Sequence, residues 1–132
     1  MQERQAGQQA AYANYEEDQH DEALWQDDGD VVSLEESYGK LSEDAKRCYY
    51  DIGSYIMNKP RVAQNDGRYA VLFKYRGKTL FKLCIRGDAP VLYYTSDNGG
   101  REFVRIADSA GMNNAKSVID MCVMNRDREL GN

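Results

Sequence analysis

Apolar residues recur at three- and four-residue steps through Leu41, Ala45, Cys48, Ile52 and Tyr55/Ile56, which predicts a helix with one apolar stripe. Ser42 is its candidate N-cap, and Glu43 and Asp44 fall in the first turn, where the helix dipole favours carboxylates. Gly53 weakens the helix, and Pro60 ends it by disfavouring helical geometry at Lys59. A turn is expected at "QNDGR" (64–68). The period then changes to two. In "YAVLFKYR" (69–76), Tyr69, Val71, Phe73 and Tyr75 alternate with Ala70, Leu72, Lys74 and Arg76. In "TLFKLCIR" (79–86), Phe81, Leu83 and Ile85 alternate with Leu80, Lys82, Cys84 and Arg86. "VLYYTS" (91–96) reads as a third strand and "EFVRI" (102–106) as a short fourth. "RGK", "RGDAP" and "DNGG" between them are turn chemistry, with glycine available for positive φ. A closing helix is expected over Asn113–Arg126, capped by Asn113 or Asn114. Its inner stripe is Ala115, Val118, Ile119 and Cys122, with Met112 and Val123 at the margin. The sum is an α+β domain: a three- to four-stranded antiparallel meander with an N-terminal and a C-terminal helix packed on one face.

Charge divides the chain in two. Residues 1–40 hold 11 acidic side chains against Arg4 and Lys40, a net of −9, whereas residues 41–132 hold 11 acidic and 15 basic ones, a net of +4. Residues 1–37 form an acidic arm or linker whose few large apolar side chains predict disorder. Residues 38–130 form the single α+β domain. Within the arm, Leu24 and Trp25 sit in "DEALWQDDGD", a candidate docking motif of two apolar residues among carboxylates; the plainer reading is a solvated linker. No apolar run is long enough to span a bilayer, and no apolar signal core follows Met1. A cytoplasmic location is expected.

The run "YGKLSEDAKRCYYDIGSYIMNKPRV", followed by "RGKTLFKLCIRG" and "VLYY", resembles a small α+β domain of uncharacterised bacterial proteins, many of them Firmicutes. In those proteins it often stands C-terminal to a zinc ribbon and an acidic linker. The shared features are Leu-Ser opening the helix, paired tyrosines within it and a Lys-Leu-x-Ile-Arg-Gly strand, over residues 38–127. This chain lacks zinc-ribbon cysteines and is shorter after the third strand. The resemblance implies the fold and the domain boundary, and carries no activity.

Enzyme chemistry finds few residues to work with. His20 is the only histidine and lies in the arm, away from any serine or cysteine of the domain. There is no glycine-rich phosphate loop and no His-Glu metal helix. "DDGDVVSLEE" resembles a calcium loop only in outline: with Gly29 at the sixth position, the first is Leu24, which carries no carboxylate. Cys48, Cys84 and Cys122 are odd in number and widely spaced, the pattern of buried, reduced thiols rather than a zinc site. The tripeptide Arg86-Gly87-Asp88 belongs to a hairpin turn, and integrin recognition is set aside. No catalysis, cofactor or metal is expected.

One charged surface is left. Phe73, Phe81, Leu83 and Ile85 belong under the helices, so the opposite face presents Lys74, Arg76, Lys82 and Arg86, joined by Tyr94 if the third strand keeps register. Basic residues around an aromatic on an open sheet fit a nucleic-acid backbone and a stacked base. A solvated sheet face has much the same composition. The expected partner is another protein, with weak nucleic-acid or anion binding as the alternative; neither a membrane nor a metal is expected. The acidic arm and the basic face should attract each other within one chain.

Overall fold

Ser33-Leu34-Glu35-Glu36 is a capping box in sequence. In a computed structural model, which describes residues 32–96 and 98–131, it opens helix α1 (Leu34–Gly39). The Glu36 amide donates to the Ser33 hydroxyl at 3.1 Å, and Leu34 packs against the core. Composition ends the arm at about Ser37; the structure begins a helix at Leu34, because a local cap and one half-buried leucine packed on the core outweigh a polar composition. Helix α2 (Glu43–Met57) starts as expected at Ser42, whose hydroxyl accepts from the Ala45 amide. Its Ile52 and Ile56 are fully buried.

Five strands follow: β1 (Val62–Asp66), β2 (Val71–Tyr75), β3 (Lys78–Arg86), β4 (Ala89–Thr95) and β5 (Arg101–Arg105). They form an antiparallel meander in chain order. The sheet thus has one strand more than the three or four expected. The extra strand is β1, exposed along most of its length and built around a single large apolar residue, Val62. The turn expected at 64–68 moves to Gly67–Ala70, closed by the Gly67 amide donating to the Ala70 carbonyl at 2.9 Å.

Turn chemistry sets the register. Arg76 and Gly77 have φ of 52° and 87°, the two positive values that a two-residue hairpin with the strands' own twist requires. At the next hairpin Gly87 supplies the positive φ, 67°, at the first loop position. Counting outward from Gly87–Asp88 pairs Leu83 with Leu92, Lys82 with Tyr93 and Phe81 with Tyr94.

Helix α3 (Ser109–Glu129) closes the chain. Its cap is Asp108, which accepts the Gly111 amide at 2.8 Å, not Asn113 or Asn114. The helix begins one turn earlier than its apolar stripe because Asp108 stands where β5 ends. Gly111 permits the close approach: a Cβ there would lie 2.5 Å from the Arg105 carbonyl oxygen. The inner sheet face (Val71, Phe73, Phe81, Leu83, Leu92 and Val104) and the stripes of α2 and α3 form one core. Cys84 and Cys122 are buried and Cys48 half-buried, all as thiols. Among the described residues no helix is long and apolar enough to cross a membrane.

Candidate functional site

Residues opposite each other in an antiparallel ladder point to the same side. The register therefore draws one row across the outer sheet face, from Leu72 through Lys82 and Tyr93 to Phe103. Arg86 lies four residues beyond Lys82 on β3, and Arg101 two before Phe103 on β5, so both share this face. Tyr93 is the centre of the group. The Arg101 guanidinium lies 4.7 Å from its ring centroid, the Lys82 ammonium 5.4 Å and the Arg86 guanidinium 5.8 Å. Each such contact is worth about 0.5–1 kcal/mol at a partly exposed site. The Phe103 ring lies 5.7 Å from that of Tyr93 at 57°, and Phe103 is 62 % exposed. The result is a pair of rings framed by cations. It offers an apolar seat beside positive charge.

Four of the five face residues expected from sequence need comment. Tyr94 faces inward: it pairs with Phe81 and Glu102, packs on the core and donates to Glu102 at 3.3 Å. Burial raises its pKa above the usual 10.0. Tyr93 takes the place assigned to it, a one-residue error that exchanges faces. Arg76 leaves the face as well, because its positive φ at the hairpin turns the side chain toward α3. There it meets Asp127 at 2.7 Å. Lys82 is on the face but only 2 % exposed, since it sits on the central strand between Leu72 and Tyr93. Lys74 keeps its expected outer side, half-buried, next to a bulge between Phe73 and Lys74. Arg86 is where the sequence places it. Leu24, Trp25 and His20 lie outside the described residues.

Arg101 and Phe103, both central to the group, are not among the face residues expected from sequence. The alternation in "REFVRI" carries them, since Val104 and Ile106 mark the buried side.

Two clusters of titratable groups lie off this face. The Tyr75 phenol and the Arg76 guanidinium both donate to Asp127, at 2.9 and 2.7 Å, while Arg126 donates to the Arg76 carbonyl at 2.7 Å. Arg76 first, then Tyr75, hold the Asp127 carboxyl below the usual carboxylate value. On the other flank Lys59 meets Asp120 at 2.6 Å, and the Tyr55 phenol donates to the same carboxylate at 2.9 Å. These groups fasten α3 to the β2–β3 hairpin and to α2. Among the described residues no group of histidine, cysteine and carboxylate side chains is placed to hold a metal.

A concavity of about 330 Å³ lies between α2 and the β1–β2 side of the sheet, walled by Tyr38, Tyr49, Tyr50 and Met57 over Phe73 and Leu83. The Tyr38 and Tyr49 rings meet edge to face at 5.4 Å. Burial, then the nearby Asp66, push the Tyr49 phenol up to about 12. It stays neutral in any ordinary buffer and offers no acid–base chemistry.

No protein family, curated protein or solved structure matches this chain. The comparisons therefore add neither an activity nor a relative, and leave the bacterial-domain resemblance untested. The reading of the site rests on its geometry.

Proposed function

We propose that this is a non-catalytic interaction domain whose outer sheet face binds a segment of another protein carrying carboxylates around an apolar anchor. The observation that supports this most directly is the Tyr93–Phe103 pair framed by Lys82, Arg86 and Arg101. Tyrosine, phenylalanine and arginine are the residues enriched where proteins meet, and large rings bury area at little cost in side-chain entropy. A face that served only solvation would have no use for a phenylalanine 62 % exposed beside a second ring. In this arrangement the partner's apolar residue packs on Phe103 while its carboxylates lie against Arg86 and Arg101.

A second reading follows from the same rings. A base stacked on Phe103, with its phosphate against Arg101, would make the face a weak binder of single-stranded nucleic acid. The body's net charge of +4 over residues 41–132 is small for that role, so it ranks second.

The test is fluorescence anisotropy of two labelled probes, an acidic peptide with a Leu-Trp pair and a single-stranded oligonucleotide, against the full chain. The peptide should bind, and Arg101→Ala and Phe103→Ala should each weaken it about tenfold, equivalent to about 1.4 kcal/mol. Peptide affinity unchanged by both substitutions refutes the proposal. Tighter binding of the oligonucleotide, with a steep salt dependence, favours the second reading.

A further inference from the structure

Residues 1–31 carry nine carboxylates and one arginine, a net of −8. Their point of attachment is fixed. The Leu34 amide donates to the Arg68 carbonyl at 2.8 Å, so the chain enters the body at the turn between β1 and β2. Val71 at the start of β2 pairs with Leu83 near the end of β3, so this is also the end of the sheet where Arg86 stands. From Arg86 to the Lys82–Tyr93 pair is four residues along a strand, about 13 Å, and from the β1–β2 turn across to β4 is between two and three strand spacings, about 12 Å, so the direct distance is about 18 Å. Trp25 lies seven residues before Val32, a reach of up to about 24 Å. The arm's one large apolar pair can therefore reach the centre of the outer face.

Its chemistry is the counterpart of that face. Leu24 and Trp25 lie between Asp21 and Glu22 on one side and Asp27, Asp28 and Asp30 on the other. The face has two rings between Lys82, Arg86 and Arg101.

We propose that residues 21–30 dock on the outer face of the sheet, with Leu24 and Trp25 against Tyr93 and Phe103 and the flanking carboxylates against Lys82, Arg86 and Arg101. The chain then occupies its own recognition surface, and an external segment must displace it. This deepens the proposed function, whose face it uses. Tethering through so few residues holds the segment at a millimolar-scale effective concentration, enough to tune a weak interaction without abolishing it.

Trp25 is the only tryptophan, so intrinsic fluorescence of the full chain reports on it alone. Docking predicts emission to the blue of the denatured chain and slower acrylamide quenching. The double variant Arg86→Glu/Arg101→Glu should restore the solvent-exposed values, whereas Arg47→Glu/Arg128→Glu, with the same charge change elsewhere, should not. A salt titration of the unmodified protein, below any loss of structure by circular dichroism, should move emission the same way if the double variant does not fold. Solvent-exposed emission in the unmodified chain, or equal effects of the two double variants, overturns the inference. The recognition reading is scored separately by the labelled acidic peptide. Trp25→Ala should bind that peptide several-fold more tightly than the unmodified chain does. Exposed Trp25 with peptide binding lost in Arg101→Ala leaves recognition standing without the docked arm. Docked Trp25 with no peptide bound by Trp25→Ala leaves the docked arm standing and removes recognition of outside segments.

Discussion

Leu92 lies on the central part of the sheet, fully buried (0 % exposed), with Leu83 and Val104 as its cross-strand neighbours. Replacing it with alanine withdraws the isobutyl branch from the core shared by the sheet, α2 and α3. The loss combines the transfer free energy of the removed carbons with a cavity that the two flanking strands cannot close, about 3 kcal/mol. Unfolding entropy of about 2.1 cal/mol/K per residue, over roughly 100 ordered residues, gives about 0.2 kcal/mol/K. Tm should therefore fall by about 15 °C, and about a third to a half of a typical small-domain stability should go with it. Phe103→Ala is the control, one strand away on the other face. It gives up little more than a ring–ring contact, under about 1 kcal/mol, so Tm should move by no more than about 5 °C. Melts followed by circular dichroism, with urea titrations to compare m-values, measure both. A Phe103→Ala loss as large as that of Leu92→Ala would show that the two faces have been exchanged, since a slip of one residue reverses every side chain on a strand.

The lowered Asp120 carboxyl and raised Lys59 ammonium predict a pH window for their bridge. The carboxylate's contribution is complete above its unfolded pKa near 3.8 and disappears as pH falls through the lower folded value. The ammonium's is complete below 10.5 and is lost as pH rises through its higher folded value. The stability gap between the unmodified protein and Asp120→Asn should thus be flat around neutrality, below about 1 kcal/mol because Asp120 is half exposed, and vanish toward pH 2; a gap that grows in acid contradicts the pairing. Asp108→Ala should cost about 1 kcal/mol as the loss of a helix cap, while Asn113→Ala should stay within about 0.5 kcal/mol; thermal melts that reverse this order would return the start of α3 to Asn113. A thiol reagent on the native protein should modify half-buried Cys48 first and reach Cys84 and Cys122 only on unfolding, so equal rates at all three would contradict the packing of β3 and α3.

The apolar stripe of α2, the alternation of β2 and β3, and the glycine turns were legible because each signal is local and repeats over several residues. The face of "VLYYTS" was harder, since two adjacent tyrosines satisfy either register. The information was nonetheless present: a two-residue loop at Gly87–Asp88 aligns Lys82 with Tyr93 by counting alone. Arg76 followed the strand's alternation on paper, but a positive φ at the turn takes its side chain to Asp127. β1 escaped notice because "VAQND" owes its conformation to pairing with β2, which propensity does not report. Helix α1 was missed for a different reason: its Ser33–Glu36 capping signature is in the sequence, but surrounding acidity drew it into the arm. The burial of Lys82 was not legible at all, since a lysine alternating with Leu83 on a strand reads as solvated.

The meander has a kinetic consequence. Every strand hydrogen-bonds only to its neighbours in the chain, so the sheet can zip hairpin by hairpin with small loop closures, the regime of rapid folding. The inner face, however, is covered by α2 from before the sheet and α3 from after it. Their meeting joins groups as far apart as Tyr55 and Asp120, 65 residues along the chain. On a chain emerging from the ribosome, Val104 and Ile106 remain without their helical cover until α3 has been made. The slow step of folding should be the closure of the helix pair over a sheet already assembled. Substitutions in the α2–α3 contact should therefore lower the folding rate, while those in the Arg76–Gly77 turn should alter mainly an equilibrium reached before that step.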